Sequence, residues 1–190
     1  MRRFTDEKYW GKPVPGYGVP NAELLIIGLA PAAHGGNRTI RMFTGDSSGD
    51  WLARVLFETG FSTKPTSERR GDGFRLINTF VTATMRCVPP NNKPTKEEFE
   101  NCFIYLSDEW SILKNIKCIV CLGKIAFDSC CKILNIKGKK FSHVNSFVHG
   151  DLHLISSSHP SPQNTQTGIL TWSKWNAVFK MAKNIIEQNY

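Results

Sequence analysis

One loop of the sequence concentrates side chains that could do chemistry. Residues 28–46 are dense in small residues and hold His34, Arg38, Arg41 and Asp46. Small residues let the backbone approach a ligand closely, and cations that follow them suit a phosphate group. We therefore expect Arg38 and Arg41 to contact a phosphate backbone. Asp46 has a simpler alternative as the N-cap of the helical pattern that begins near residue 48.

A second loop, residues 156–168, places a histidine directly after an apolar run. His159 is followed by Pro160 and then by a polar turn that could press against a nucleic-acid backbone. A histidine in this setting is more often structural than catalytic when it is considered alone. Its role therefore depends on whether the two loops meet in the fold.

Four short, nearly continuous apolar runs predict buried strands, and helical patterns lie between them. The strands are expected at residues 23–28, 76–84, 116–122 and 152–157, and the helices at residues 48–59, 95–113, 124–134 and 171–188. Thr95 and Glu98 have the spacing of a capping box at the start of the second helix. This alternation predicts an α/β fold, a three-layer α/β/α sandwich around a central, mainly parallel four-stranded sheet, in one domain of residues 1–190. Ligands bind beyond the carboxyl ends of the strands in such folds, where both loops belong.

Net charge and composition indicate which class of molecule the protein binds and in which cellular compartment it works. The net charge of +8 and the pI near 9.3 favour a polyanion such as DNA or RNA, although a basic enzyme with another substrate fits the charge equally well. The charged start of the chain and the lack of an eighteen-residue apolar run predict a soluble cytoplasmic protein, associated with the nucleoid. Six cysteines in that compartment should be reduced and serve metal ligation or core packing.

Several motifs together carry a family resemblance. The two loops contain GLAPAAHG, FTGD and HPSPQNTQTG, and three more motifs are YWGKPVPG at residues 9–16, CVPPNNKPT at 87–95 and LGKIAF at 122–127. Across the whole chain they resemble the uracil-DNA glycosylase superfamily, family 5 most and family 4 next. The resemblance implies a monofunctional hydrolase that flips uracil out of double-stranded DNA and leaves an abasic site. The alternatives are a non-catalytic DNA-binding relative and an RNA-binding or RNA-processing protein.

The resemblance also implies the catalytic groups. His159 would hydrogen-bond the uracil carbonyl as negative charge develops there. Family 5 lacks the water-orienting group that other families carry near the start of the first motif, and residues 30–33 here are Ala-Pro-Ala-Ala. Asp46 and an asparagine after the proline pair would take over that role. Asn92 matches the motif better than Asn91, which stays an alternative.

Further residues would form the base pocket. Phe43 would stack on the flipped base, or else serve as an ordinary core phenylalanine. Ala30 and His34 belong to the same motif, and Ala83 replaces an asparagine with which family 4 enzymes read the uracil edge. Losing that amide implies tolerance of other deaminated bases such as hypoxanthine or xanthine. Ile40 stands where the motif usually has glycine.

DNA contacts are expected from both loops. Ser161 and the turn at residues 162–167, including Asn164, would pinch the backbone and fill the space that the flipped base vacates. Flipping costs least at a mismatch such as U·G. Arg38 and Arg41 would add phosphate contacts. We expect a monomer, because the active face must meet DNA.

The cysteines bear on a cofactor. Families 4 and 5 hold a structural [4Fe-4S] cluster, and Cys87 and Cys102 match the later pair of its four ligands. The sequence has no counterpart of the earlier Cys-x-x-Cys pair, and two ligands do not hold a cubane cluster unaided. The cluster is therefore lost, completed by other residues, or dependent on ligands before this start. Cys118 and Cys121 lie in a predicted strand, face opposite sides and should pack in the core.

Overall fold

A twisted sheet forms the centre of the fold. The computed structural model describes Phe4 and residues 6–188, except the side chain of Asn92, so the first three residues of the charged start lie outside it. The strands are β1 (Tyr17–Gly18), β2 (Leu24–Gly28), β3 (Thr79–Ala83), β4 (Cys118–Leu122), β5 (Asn145–His149) and β6 (Leu152–Ser157). Their order is β1-β3-β2-β4-β6-β5, with β3, β2, β4 and β6 parallel and the two edge strands antiparallel.

The four predicted strands are the parallel ones, so the mainly parallel core is confirmed and the strand number is corrected from four to six. Strand β1 has only two residues, which is too short for a hydrophobic pattern. Strand β5 has no buried residue and covers the edge of β6, so its sequence lacks the continuous apolar run of the inner strands. Both additions protect the edges of the sheet.

Helices cover both faces. They are α1 (Gly36–Thr39), α2 (Ser47–Glu58), α3 (Lys96–Ile112), α4 (Lys124–Ile133), α5 (Pro162–Gln166) and α6 (Trp172–Gln188). The predicted capping box of α3 is present, because the Thr95 hydroxyl accepts from the Glu98 amide at 3.2 Å and the Glu98 carboxylate accepts from the Thr95 amide at 2.7 Å. No helix within the described part of the chain is long and apolar enough to cross a membrane.

Two apolar layers hold the helices on the sheet. Helices α2 and α6 pack on one face around Trp175, whose indole nitrogen donates to the Trp51 carbonyl at 3.1 Å. Helices α3 and α4 pack on the other face around Phe127. Cys118 belongs to the first layer and Cys121 to the second, which confirms that they face opposite sides. Together the layers fix the ends of the strands, from which the loops of the site emerge.

Candidate active site

A cleft of about 640 Å³ opens at the carboxyl ends of β2, β4 and β6. Its walls come from the first loop, the start of α2, the turn between β4 and α4, and the second loop. Asp46 and His159 both line it, with Ala30 beside them. The two loops therefore meet at one edge of the sheet, as the topology of parallel strands predicts.

The imidazole of His159 lines this cleft and is partly buried. Burial lowers its pKa from 6.5 to about 4, so the ring is neutral at physiological pH. The backbone at His159 is held by a hydrogen bond in which the Asn164 side-chain nitrogen donates to the His159 carbonyl at 2.8 Å. A neutral imidazole carries one N–H donor and one acceptor nitrogen. The ring can therefore donate a hydrogen bond to an oxygen atom in the cleft without carrying a charge.

This lowered pKa predicts a pH dependence of stability. Between pH 6.5 and about 4, the unfolded chain binds a proton at His159 that the folded protein does not. The free energy of unfolding should therefore decrease as the pH falls through this window, by at most about 1.4 kcal/mol per pH unit, and level off below it. Urea denaturation at several pH values measures it, with His159→Ala as the comparison. An equal slope for both proteins would contradict the burial of this ring.

Asp46 is both a helix cap and a wall of the cleft. Its Oδ1 accepts from the Gly49 amide at 2.9 Å, which confirms the predicted N-cap of α2. Burial raises the pKa of this carboxyl, opposed by the hydrogen bonds from the Gly49 and Ser48 amides. The Oδ2 atom lies against Gly35, where a Cβ would approach it to 1.9 Å. Gly35 is thus the residue that lets the carboxylate lie this close to the first loop.

The ring of Phe43 is buried between the sheet and the second loop. A Cβ at Gly28 would approach the Phe43 ring to 2.7 Å, so the ring rests directly on the backbone at the end of β2. Its centroid lies 5.8 Å from that of His159, at an interplanar angle of 35°. The backbone of Phe43 is left-handed, with φ of 50°. This contact with His159 brings the predicted stacking residue beside the predicted catalytic one.

The other predicted pocket residues differ in position. Ala30 lines the cleft, whereas Ala83 is fully buried and pairs with Gly28 in the sheet register. His34 is exposed, and the Tyr9 hydroxyl lies 2.6 Å from its Nδ1. The segment before β1, which we call the amino-terminal arm, thus packs on the first loop through Tyr9.

Ile40, where the motif usually has glycine, adopts a left-handed backbone with φ of 59° directly after α1. Glycine reaches this conformation without cost, whereas a β-branched residue is strained there. The chain therefore keeps the loop conformation that the motif's glycine favours. Thr39 supports the turn, because its hydroxyl donates to the Gly35 carbonyl at 3.0 Å.

The expectation for Arg38 needs correction, because its side chain is already engaged within the protein. Its guanidinium forms an ion pair with Glu7 at 2.8 Å, and its Nε donates to the His34 carbonyl at 2.7 Å. The Phe4 ring covers it at 4.0 Å. Arg38 therefore fastens the amino-terminal arm to the first loop, and these bonds engage its Nε and Nη1 atoms within the protein.

Arg41 needs the same correction. It is 8% exposed and donates to Asp72 at 2.7 Å, Thr44 at 3.0 Å and Ser67 at 2.9 Å. Burial alone would raise the pKa of the Asp72 carboxyl, but the Arg41 guanidinium and three backbone amides lower it well below its usual range. The pair joins the first loop to the segment before β3, and Arg41 is a structural residue.

Removing Arg41 should therefore lower the free energy of unfolding of the protein. Arg41→Ala leaves the partly buried Asp72 carboxylate without its cation and removes charged hydrogen bonds, which typically costs about 1.5–3 kcal/mol. The control is Lys96→Ala, which removes an exposed pair with Glu100 within one helix and should cost less than about 0.5 kcal/mol. Urea denaturation compares the two variants. Equal losses for both would mean that the Arg41 ion pair does not hold the first loop.

Ser161 and Asn164 organise the second loop. The Ser161 hydroxyl caps α5 by accepting from the Asn164 amide at 3.4 Å, while the Asn164 side chain holds the carbonyl of His159. Ser161 lines the cleft, whereas Asn164 is not part of its lining and acts through its hydrogen bond to the backbone at His159. The predicted polar turn is therefore a short capped helix whose first residues face the cleft.

The asparagine pair lies in a short 3₁₀ turn, Pro90–Asn92. Asn91 has a left-handed backbone with φ of 51°, a conformation that asparagine tolerates better than most residues. The side chain of Asn92 lies outside the described part of the structure, so its catalytic role stays a prediction. Asn91 is exposed and stays the alternative.

Cys87 and Cys102 lie close enough to influence each other. Partial burial raises the pKa of the Cys87 thiol, and the neighbouring Cys102 raises it further. Within Phe4 and residues 6–188, no group of three or more His, Cys, Asp or Glu side chains is arranged to hold a metal ion. Two thiols alone do not fit a [4Fe-4S] cluster, which needs four ligands. No step of the chemistry below involves such a cluster.

The turn between β4 and α4, which carries the motif at residues 122–127, also forms a wall of the cleft. Gly123, Lys124 and Ile125 line the cleft, and Gly123 has φ of 95°. Lys124 is exposed and pairs with Asp128 on its own helix. This position follows from the topology, because a glycine and a lysine directly after a buried strand also lie at the carboxyl edge of the sheet.

Comparisons with known proteins agree with this geometry. The family model of the uracil DNA glycosylase superfamily matches residues 15–182. A type-5 uracil-DNA glycosylase of Thermus thermophilus is 43% identical over 187 residues, which cover 97% of this chain and 85% of the relative. A type-5 enzyme of Pyrobaculum aerophilum is 43% identical over 90% of this chain and 75% of its own. A type-4 uracil-DNA glycosylase of Pyrobaculum aerophilum is 33% identical over 72% of this chain and 62% of its own. The chain belongs to the uracil DNA glycosylase superfamily.

Proposed function

We propose that this protein hydrolyses the N-glycosidic bond of uracil in double-stranded DNA and leaves an abasic site. The observation that carries the proposal is the presence of His159 and Asp46 on the walls of one cleft. One is a neutral hydrogen-bond donor and the other is a buried carboxyl group, so the pair suits a reaction that needs charge stabilisation and an attacking water. The similarity to type-5 and type-4 uracil-DNA glycosylases supports the same substrate.

Departure of the base is the first part of the chemistry. The bond between C1′ of the sugar and N1 of uracil breaks, and its electron pair leaves with the base. Negative charge then spreads to the uracil O2, while the sugar becomes cation-like. An N–H of His159 donates to this oxygen, and because burial keeps the ring neutral the donor brings no full positive charge into the cleft. The stabilisation is greatest when the charge is greatest, which is in the transition state.

Attack of water completes the reaction. The water oxygen forms a bond to C1′, and the proton it releases restores the neutral base, either directly or through the Asp46 carboxylate. The Asp46 carboxylate lines the cleft and can orient this water while its Oδ1 stays on the helix cap. The raised pKa of Asp46 makes it a better proton acceptor than an exposed aspartate. Asn92 assists in holding the water, as the family motif implies.

Phe43 and the small residues set the choice of base. Phe43 supplies the ring on which the flipped base stacks, worth about 1–3 kcal/mol per base. Ala30 lines the cleft and offers no side-chain polar group for the edge of the base. The absence of an amide at Ala83 extends the substrate range to other deaminated bases such as hypoxanthine and xanthine. A pocket that does not depend on many polar contacts discriminates weakly between such bases.

DNA is held by the rim of the cleft in this proposal. Lys124 gives an exposed cation for a phosphate in place of Arg38 and Arg41, and Ser161 lies across the cleft from it. Ile169 lies three residues after α5 and is 54% exposed, next to Leu170, whose amide donates to the Asn164 carbonyl at 2.9 Å. Its apolar side chain would fill the space that the flipped base vacates. The protein acts as a monomer on this substrate.

Product analysis tests the function. The protein is incubated with duplexes that carry one uracil, hypoxanthine or xanthine, and free base is measured by liquid chromatography before any alkali is added. Release of uracil with an intact, alkali-sensitive strand supports a monofunctional glycosylase. Binding of the duplex without base release would favour the non-catalytic DNA-binding relative. Preference for a uridine-containing RNA duplex would favour the RNA-directed alternative.

A further inference from the structure

The residue that precedes His159 is held by a histidine from a different part of the chain. The Nδ1 atom of His143 accepts from the Ser158 amide at 3.1 Å, and the Ser157 hydroxyl lies 3.4 Å from the same nitrogen. His143 is not among the residues that line the cleft. Its contact is with the peptide that carries the chain from β6 into the second loop.

This contact continues the sheet beyond its last paired residue. The register of β5 with β6 begins at Asn145 opposite Ser156, and the bridge from Val144 to the Ser156 carbonyl at 2.8 Å is the last backbone bond on that side. The Ser158 amide lies past this bond. An imidazole nitrogen therefore takes the place of the backbone carbonyl that a longer β5 would supply.

The backbone next to His143 is strained in a way that serves this contact. Val144 has φ of 58°, and a β-branched residue in the left-handed region is an outlier. Its side chain packs against the core layer of α2 and α6. The strained turn brings His143 back over the end of β6, and strain of this kind persists where the surrounding structure requires it.

The second ring nitrogen of His143 carries an energetic cost of its own. Because Nδ1 accepts, the proton of the neutral ring lies on Nε2. Nε2 is buried, and it has no hydrogen-bond partner within the described residues. Burial, and then the nearby charge of Lys174, lower the pKa of this imidazole and favour its neutral form. A buried donor without a partner is rare in native proteins and calls for an explanation.

We propose that His143 is a positioning residue for His159. By accepting from the Ser158 amide it sets the orientation of the peptide directly before His159, and so the direction in which the catalytic imidazole enters the cleft. The inference rests on the proposed glycosylase function and adds a residue to it. It predicts an effect on the rate of base release and little effect on DNA affinity, because His143 does not reach the cleft.

Two substitutions separate this role from simple packing. Asn at this position carries its Oδ1 near the place of the imidazole Nδ1 and can accept from Ser158. Leu has a similar reach but no acceptor. His143→Leu should lower the single-turnover rate constant by roughly tenfold to hundredfold, as expected for a small misplacement of a catalytic group, whereas His143→Asn should restore most of it. Affinity is measured on a duplex with 2′-fluoro-deoxyuridine, which resists cleavage, and should change less than about threefold in both variants.

Coupling to His159 provides the second measurement, which holds even if His143→Leu is less stable. In a His159→Ala background, His143→Leu should cause little further loss of rate, because the group that it positions is gone. Equal rates for the Leu and Asn variants, or fully additive losses with His159→Ala, would overturn the inference. Failure of the wild-type protein to release uracil would instead refute the function on which the inference rests.

Discussion

Replacing His159 with alanine is expected to lower the single-turnover rate of uracil release by about 10²–10³, the usual cost of removing one donor to a developing oxyanion. The ring lies in the cleft, is neutral because of its burial, and is held by the bond from Asn164 to its carbonyl. It is therefore a neutral hydrogen-bond donor for the uracil O2. Affinity for the uncleavable 2′-fluoro duplex should change much less than the rate.

The control for this substitution is His149→Ala. His149 lies on β5 and is exposed, so its removal should leave the rate unchanged. A circular dichroism melt of both variants verifies that they are folded. If His159→Ala releases uracil as fast as the wild-type protein, the oxyanion role is wrong and another donor must be sought around the cleft.

Asp46→Asn is expected to lower the rate by a similar factor while leaving the fold intact. The amide oxygen of asparagine can still accept from the Gly49 amide, and asparagine is as good an N-cap as aspartate. It cannot take a proton from water, however, and it carries no charge to stabilise the sugar cation. The expected loss is about 10²-fold, in the range of general-base catalysis.

Asp46→Ala is the comparison that separates the two roles of this residue. It removes both the carboxylate and the cap, so it should lose the same rate and about 1 kcal/mol of stability as well. Urea denaturation gives the stability, and single-turnover cleavage gives the rate. An Asn variant with full activity would show that Asp46 is only the cap of α2.

The elements that determine the fold could be predicted because their signals are local. Continuous apolar runs gave the four parallel strands, and residues at helical spacing gave α2, α3, α4 and α6. Thr95 and Glu98 marked the start of α3 by three-residue spacing alone. Strands β1 and β5 carry no such signal, because an edge strand is stabilised by its neighbour more than by its own hydrophobic pattern.

The arginines show where reasoning from sequence reached its limit. Two cations in a loop rich in small residues suit a phosphate, but a sequence does not say whether a partner carboxylate comes from elsewhere in the chain. Glu7 reaches Arg38 across 31 positions, and Asp72 reaches Arg41 across the same number. Both contacts exist only after folding. Lys124, whose partner is one turn away on its own helix, is left on the rim of the cleft.

The hydrogen bond between Ser158 and His143 could not be predicted from the sequence, because it too joins distant parts of the chain. Asn164 could be predicted near His159 because the two residues share one short loop. His143 lies in a segment without a strong pattern, and its bond to Ser158 depends on the strained turn at Val144. Contacts of this kind follow from tertiary structure, and they determine how accurately the catalytic group is aimed.

Single-turnover cleavage of a labelled duplex with one U·G pair tests the central claim most directly. Enzyme in excess over DNA removes the effect of product release, and alkali converts each abasic site into a strand break that a gel resolves. We expect complete cleavage at the uracil by the wild-type protein, no cleavage of the matched C·G duplex, and a loss of about 10²–10³ in rate for His159→Ala. An intact U·G strand after prolonged incubation, with the duplex bound, would contradict the proposed activity.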